Sequence, residues 1–327
     1  MKNYMIIALV CAVAMLISPV ILLRDQAPSK PADEAAQKGE GSALQKENTI
    51  TVYLSDEEKT ETVSFFDYTC ASVAAEMPVT YHEEALKCQA VACLTNALRL
   101  KAAASPENML GADISDNPDV HQGYMPKGLR KEKWGENFEK YEKKLEEAVR
   151  AVSGLALTYE GELCTAAFSA ICTGTTESAE NVWGSALPYL VSVKSSGDTL
   201  SPSYTDTKSF NREKFTEAAK ALGISITDKT DFKKEIKTTD TSKAGTVLKM
   251  KICGKEVTGA EVRKAFALGS AAFEIKCSET GVTFTVKGCG HGVGMSQYGA
   301  DYMARQGSSY EEILKHYYKG VKIEALA

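Results

Sequence analysis

Glu76 is the first side chain whose position gives it chemistry. Pro78 biases Met77 away from the helical region, so a predicted helix ends near Glu76. The partial negative charge at a helix C-terminus disfavours a carboxylate, and the neighbouring Val73, Ala74, Ala75 and Met77 are apolar. Both effects raise the pKa, and a Glu kept protonated near neutral pH is what a general acid requires. The plainer alternative is a helix-end carboxylate that reaches an arginine. Glu83 and Glu84 are placed oppositely: they open the next predicted helix, where the dipole favours ionisation, and helix-start acids account for them.

A second concentration of chemistry is Gly288-Cys-Gly-His-Gly-Val-Gly-Met-Ser-Gln-Tyr-Gly299. Glycine at every second position from 288 to 294 does not suit a packed strand interior. It suits a backbone that turns tightly or approaches a ligand closely. Neither the P-loop pattern nor the dinucleotide fingerprint is present, so this is not a phosphate loop. His291 is flanked by glycine on both sides, and Ser296, Gln297 and Tyr298 follow at a helix start. Cys172, in Ala170-Ile-Cys-Thr-Gly-Thr-Thr-Glu177, would be a nucleophile with His291 as its base. A buried or disulfide-bonded cysteine is the competing account. His121 lies in a turn-rich loop with acids nearby, but one His with scattered Asp is not a zinc signature, and no metal is expected. His82 precedes a helix, and His316 lies near a helix C-terminus, where a cation is favoured.

The elements that must position these groups can be read from patterning. Ser64-Phe-Phe-Asp67 starts the helix that ends at Glu76. A second helix, from about Glu83 to Ala104, is apolar all round and reads as central and buried. Trp134, Phe138, Tyr141, Leu145, Val149 and Val152 recur at the 3.6-residue period of an amphipathic helix. Leu155–Tyr159 and Glu162–Phe168 flank Gly161 as a hairpin. Residues 194–246 are polar, with a short helix near Arg212–Leu222, and form a second lobe or an excursion. Val247–Cys253 is strand-like, Thr258 and Glu261 open a helix that stops at Gly269, and Phe273–Cys277 pairs with Val282–Val286. A helix to about Gln306 and a last one opened by Ser309 complete the chain. Helices and strands do not alternate strictly, which predicts an α+β fold, two-lobed, with helices, antiparallel sheet and a substrate groove.

Composition sets the class. The chain has 327 residues, 44% hydrophobic and 25% charged, which excludes a wholly disordered or collagen-like protein. A net charge of −5 argues against a general nucleic-acid binder. Met5–Leu23 is 19 residues without a charge, between Lys2 and Arg24, long enough to cross a bilayer as a helix. Residues 1–24 are therefore expected to form a membrane anchor, with a cleaved signal peptide as the alternative, and the rest of the chain lies outside the cytoplasm. Residues 25–48 hold no aromatic residue and a single large aliphatic one, Leu44, and read as a tether to a folded part that begins near Thr49. Cys11 lies in the anchor, leaving Cys70, Cys88, Cys93, Cys164, Cys172, Cys253, Cys277 and Cys289 outside it. An even number permits disulfides, but several sit in Ala-rich helices where a small buried hydrophobe fits.

Four segments together resemble the SpoIID family, the sporulation lytic transglycosylases of endospore-forming bacteria. They are Ala74-Ala-Glu-Met-Pro78, Glu84-Ala-Leu-Lys-Cys-Gln-Ala-Val-Ala92, Thr176 to Gly184 with Pro188 to Lys194, and Gly290 to Ala300; the resemblance runs from about Thr49 to the end. It implies cleavage of the MurNAc–GlcNAc bond of peptidoglycan, ending in a 1,6-anhydro product, on glycan already stripped of its peptides. It implies Glu76 as the single acid and base, with Glu84 in a second matching motif. His291, Ser296, Gln297, Tyr298, Glu84 and Cys172 would meet the substrate. No cofactor is implied. It also implies a setting on the mother-cell side of the engulfing septum, with an amidase (stage II sporulation protein P) and a membrane protein (stage II sporulation protein M) as partners. Phe168-Ser-Ala-Ile-Cys-Thr-Gly174 departs from the family pattern: Ser169 replaces a histidine and Cys172 a serine. Ile114–Gln122, with only His121, lacks the Cys/His pattern of a metal loop found in some relatives. Two other readings stay open, an amidase or peptidase using Cys172 and His291, and a glycan-binding scaffold without catalysis.

Overall fold

The computed structural model describes residues 48–103 and 109–326. The predicted anchor and nearly all of the tether lie outside them. Among the described residues no helix is long and apolar enough to cross a membrane.

Strand β1 (Thr49–Leu54) buries Ile50, Val52 and Leu54 on one face, as its alternation requires. It pairs antiparallel with β2 (Lys59–Ser64) and parallel with β3 (Ile114–Ser115). Helix α1 (Phe65–Glu76) is capped by the Ser64 hydroxyl, which accepts the Asp67 N–H at 3.0 Å. It ends as Pro78 demands, with Met77 in extended geometry. Helix α2 (Glu83–Ala102) is the central element of the first lobe, packed against α1 and most later elements of that lobe. Its Ala85, Ala90, Ala92 and Ala97 let neighbouring backbones approach closely.

The amphipathic stripe that begins at Trp134 is divided. Helix α3 (Lys127–Trp134) ends where Gly135 turns the chain at φ 50°, and α4 (Phe138–Ala151) starts after one 3₁₀ turn. The Arg130 guanidinium clamps α3 onto α4 through two hydrogen bonds to the buried Glu142 carboxylate, at 2.8 and 2.7 Å. Strand β4 (Leu155–Tyr159) pairs with the two-residue β5 (Glu162–Leu163), so the hairpin's second arm is shorter than predicted. Strand β6 (Phe168–Ser169) follows separately, then the short helix α5 (Ala179–Trp183).

The second lobe is built from the polar segment after residue 194 together with the strands and helix of residues 247–287. Strand β7 (Thr205–Asn211) leads into α6 (Arg212–Lys220), α7 (Phe232–Glu235) and β8 (Ile236–Thr241). Then come β9 (Val247–Ile252), β10 (Lys255–Thr258), α8 (Gly259–Ala265), β11 (Phe273–Cys277) and β12 (Gly281–Lys287). Two three-stranded antiparallel sheets, in orders β10-β9-β8 and β11-β12-β7, enclose a core centred on Phe215, Phe232, Phe266 and Phe284. The chain then returns to the first lobe through β13 (Met295–Ser296), which pairs in parallel with β6. Helices α9 (Gln297–Arg305) and α10 (Tyr310–Tyr317) pack on α2, and β14 (Lys322–Ala325) closes against β4.

This architecture is α+β, as the patterning predicts. Strands β2 and β14 escape sequence reading because neither buries an alternating apolar face. All eight cysteines in the described residues are free thiols, and five of them are buried. They serve as small hydrophobes rather than as disulfide partners.

Phe284 is fully buried, and its ring lies 5.2 to 5.8 Å from those of Phe266, Phe273 and Phe210. Phe284→Ala is expected to cost about 3–5 kcal/mol of second-lobe stability, read as a lower urea midpoint by circular dichroism.

Candidate functional site

Two loops converge on the end of α1. The Glu76 backbone carbonyl accepts the Gln297 side-chain amide at 3.0 Å, which satisfies one of the free carbonyls of the helix end. Gln297 also donates to Gln89 Oε1 at 3.2 Å, so α1, α2 and the start of α9 meet at one buried amide. The half-buried Glu76 carboxyl accepts the Gly123 N–H at 2.5 Å through Oε1. A Cβ at position 123 would stand 2.9 Å from Ala75 Cβ and 3.1 Å from that same oxygen, so only glycine brings its N–H this close. Burial raises the Glu76 pKa above its ordinary value, and the Gly123 N–H opposes that rise. Neither an arginine nor another charged group is among these influences, so the helix-end ion pair is not what forms.

The glycine-rich segment is a folded loop. Gly294 adopts φ 73°, and a Cβ there would meet the Ala167 carbonyl at 2.1 Å, so the parallel β6–β13 contact requires glycine. Glu177 braces the loop: its N–H donates to the Gly292 carbonyl at 2.7 Å. Its buried carboxylate accepts from Ser178 N–H, Asn181 Nδ2 and Ser242 Oγ. The His291 ring lies 5.5 Å from that of Trp183, and its Nδ1 accepts the Val293 N–H at 3.0 Å. Burial, reinforced by the charge of Arg263, pushes the His291 pKa down to about 3, against an opposing hydrogen bond with the Phe168 backbone. The imidazole is neutral at any physiological pH.

The other candidates separate. Tyr298 is half-buried, edge-on to Tyr81 at 6.3 Å, with its hydroxyl donating to the Leu200 carbonyl at 3.4 Å. Ser296 is buried, and its hydroxyl caps α9 and donates to Asp198 at 2.5 Å. It therefore positions the loop. Glu84 receives Lys87 Nζ at 2.5 Å and the Tyr310 N–H at 2.6 Å. Burial pushes its carboxyl up, but these two donors outweigh it and the net shift is downward. Glu84 thus ties α2 to α10 and is poorly suited to donate a proton.

Cys172 is buried, and its thiol donates to Asp198 Oδ2 at 3.0 Å. Burial first, then the Asp198 charge, drive its pKa far above the ordinary thiol range. Cys172 and His291 border a common small cavity, yet neither has the other as a hydrogen-bond partner. A nucleophile needs a thiolate and a base that accepts its proton, and this pair has neither. Ser169 is also buried, with its hydroxyl unpartnered. His121 accepts the Ser115 N–H, and burial lowers its pKa to about 4. Among the described residues no group of three or more His, Cys, Asp or Glu stands together to hold a metal.

Sequence reading missed two residues, Gly123 and Asp198. Asp198 is fully buried and accepts from the Cys172 N–H and thiol and from the Ser195 and Ser296 hydroxyls. Nothing local in a polar segment marks it, because its four donors come from three separate stretches of chain.

A family model described as SpoIID, stage II sporulation protein, matches residues 53–159. Stage II sporulation protein D of Bacillus amyloliquefaciens is 38% identical over 275 residues, 84% of this chain and 78% of its own. The protein of the same name from Bacillus subtilis is 36% identical over 295 residues, 90% and 83% of the two chains. The amidase enhancer of Bacillus subtilis is 30% identical over 298 residues, 76% of this chain but 39% of its own. The chain belongs to the SpoIID family of stage II sporulation proteins.

Burial raises the pKa of Asp198 above that of a free Asp, with the Ser195 and Ser296 hydroxyls and the Cys172 thiol opposing it. The folded state therefore holds this proton to higher pH than the unfolded chain does. The associated stability is full below the free-Asp value, about pH 4, and is lost as pH rises through the folded value. Asp198→Asn is expected to remove this falling contribution, so that urea midpoints measured from about pH 3.5 upward fall less steeply than in the parent.

Proposed function

We propose that the chain is a lytic transglycosylase that cleaves MurNAc–GlcNAc bonds in peptide-stripped peptidoglycan, with Glu76 as its only acid and base. The observation that carries this reading is the Glu76 carboxyl: half-buried, raised in pKa, uncoupled from any charged neighbour, and held by one backbone N–H. An ordinary glycosidase sets two carboxylates across the bond. No second carboxylate is among the groups that shift Glu76, which suits a reaction that a single acid completes.

Protonated Glu76 gives its proton to the glycosidic oxygen as the C1–O bond breaks. The resulting carboxylate takes the proton of the same muramyl residue's C6 hydroxyl, whose oxygen bonds to C1 and closes the 1,6-anhydro ring. The proton lost in the first half is regained in the second. The nucleophile belongs to the substrate, so no second reactant has to be ordered. Burial favours the protonated acid of the first half, and the Gly123 N–H favours the ionised base of the second. Neutral His291 beside Trp183, together with Tyr298, offers hydrogen-bonding and aromatic edges to sugar, while Gln297 fixes the end of α1 from behind. In this reading residues 1–24 anchor the enzyme to the mother-cell membrane, where it works beside stage II sporulation proteins P and M.

Glu76→Gln is expected to lower formation of anhydro-muramyl ends from peptide-free glycan by about 10²–10⁴-fold, measured by mass spectrometry, while Glu84→Gln keeps its turnover. The basic limb of kcat/KM should lie above the ordinary Glu range, since deprotonation removes the acid. Undiminished activity of Glu76→Gln sinks the mechanism. Released peptides in place of anhydro ends would favour the amidase reading, and intact glycan with retained binding the scaffold.

A further inference from the structure

One face of α1 meets the loop that carries Gly123. Tyr68, Ala71, Ala75 and Glu76 recur at the spacing of a single helix face. The Tyr68 hydroxyl accepts the Gln122 side-chain amide at 2.9 Å, and its ring stacks on that of Tyr124 at 5.7 Å. The Ala71 carbonyl accepts the Met125 N–H at 3.0 Å, and Ala75 leaves room only for glycine at position 123. Glu76 follows, with its carboxyl on the Gly123 N–H. The loop is bound along about two turns of the helix whose last residue is the acid.

Gln122 is the buried polar member of this contact. It is 5% exposed, and both ends of its amide are used. Nε2 donates to Tyr68 on α1 and to the Cys93 carbonyl on α2 at 3.0 Å, while Oε1 accepts the Asn96 amide at 3.5 Å. Asn96 also holds the Ala166 backbone, both N–H and carbonyl, just before β6. On α2, Gln89, Cys93 and Asn96 stand at i, i+4 and i+7, which makes a polar stripe on one face. Gln89 accepts the Gln297 amide and donates to the Cys93 thiol at 3.4 Å. The two clamps on Glu76, Gln297 at its carbonyl and Gly123 at its carboxyl, are therefore joined through this stripe.

The Gly123 N–H lies in the planar peptide unit that begins at the Gln122 Cα, so the anchoring of Gln122 aims that N–H. We propose that Gln122 is a positioning residue for the acid: by fixing the Gln122–Gly123 peptide plane against α1 and α2, it sets where the Glu76 carboxyl stands when it meets the glycosidic oxygen. The inference rests on the reading of Glu76 as acid and base. The titratable groups that face Glu76 are the Tyr68 phenol on α1 and the Cys93 thiol on α2, both kept neutral by burial. On α9 the facing residue is the uncharged Gln297, and the loop's histidine, His121, is neutral. The Gly123 N–H is thus the one donor that opposes burial at the carboxyl, and Gln122 acts through it.

The test compares Gln122→Leu and Tyr68→Phe with the parent, all as the full chain. Gln122→Leu keeps the bulk and removes every hydrogen bond of the amide. Tyr68→Phe keeps the stacked ring and removes one acceptor, and it decides alone where the leucine variant does not fold. The Glu76 carboxyl is titrated by carbon-13 NMR without substrate, its signal assigned by its absence from Glu76→Gln. In parallel, kcat and KM for anhydro-end formation are followed against pH. With the N–H released, the carboxyl midpoint and the basic limb of kcat/KM should both rise, by about one pH unit in Gln122→Leu and by less in Tyr68→Phe. In Gln122→Leu kcat is expected to fall about tenfold or more, with KM within about twofold of the parent. Lost stability alone would lower activity and move neither midpoint. A Glu76 midpoint unmoved in the folded variants overturns the inference and leaves the mechanism standing. A midpoint that rises in a chain that forms no anhydro ends overturns the reading of Glu76 and not its placement by Gln122.

Discussion

The site depends on how the end of α1 is held. A helix C-terminus exposes carbonyls, and in water they would draw solvent to the last side chain. In this protein the Gln297 amide takes the Glu76 carbonyl, and Gly123 presents its N–H to the Glu76 carboxyl. Backbone and side chain of one residue are thereby fixed by two segments that are far apart in sequence. The carboxyl gains burial without gaining a counter-ion, and that combination moves its pKa upward. A lysine or arginine at the same distance would reverse the shift and remove the acid.

Behind that clamp lies a buried carboxylate with a different task. Asp198 takes hydrogen bonds from Cys172, Ser195 and Ser296, and Ser195 in turn shares a hydrogen bond with Tyr317 at 2.6 Å. This knot joins the strand exit after β6, the 3₁₀ turn at Ser196–Leu200, the cap of α9 and the last helix. Ser296 precedes Gln297, so whatever fixes Ser296 also fixes the amide that reaches Glu76. A buried acid without a cation is expensive, and four donors at one carboxylate offset that cost. Asp198 and Glu76 are both raised in pKa, yet their surroundings separate their roles. Asp198 has its oxygens filled by side chains and backbone, whereas Glu76 accepts one N–H and remains half-exposed.

Where sequence and structure agree, the signal was local. Pro78 stops α1 at Glu76, Ser309 and Glu312 form a capping box, and the strand alternation of Ile50, Val52 and Leu54 survives intact. The glycine spacing from 288 to 294 announced a backbone in unusual geometry, and all four glycines have positive φ. Where they diverge, the deciding contact was distant. Trp134 keeps the 3.6-residue spacing to Phe138 across Gly135, so periodicity alone runs through the break. Ser296 and Cys172 carry reactive groups in two separate segments, and only the fold shows both buried against Asp198. Gly123 is one glycine in a turn-rich loop, and only the fold shows that its N–H points at the acid.

A lone acid that serves in both halves of a reaction has to be indifferent to its own charge. Strong stabilisation of either state would speed one half and slow the other. Burial alone would give a carboxyl that protonates well and ionises poorly. Several N–H donors or a cation would give the opposite. The arrangement at Glu76 is intermediate: partial desolvation against a single N–H. The donor is also a backbone amide, fixed by the chain and unable to titrate, so it stays in place whether the carboxyl is protonated or ionised. Its nearness depends on the absence of a Cβ at position 123, which makes a glycine without any chemistry of its own the residue that sets the balance of the acid.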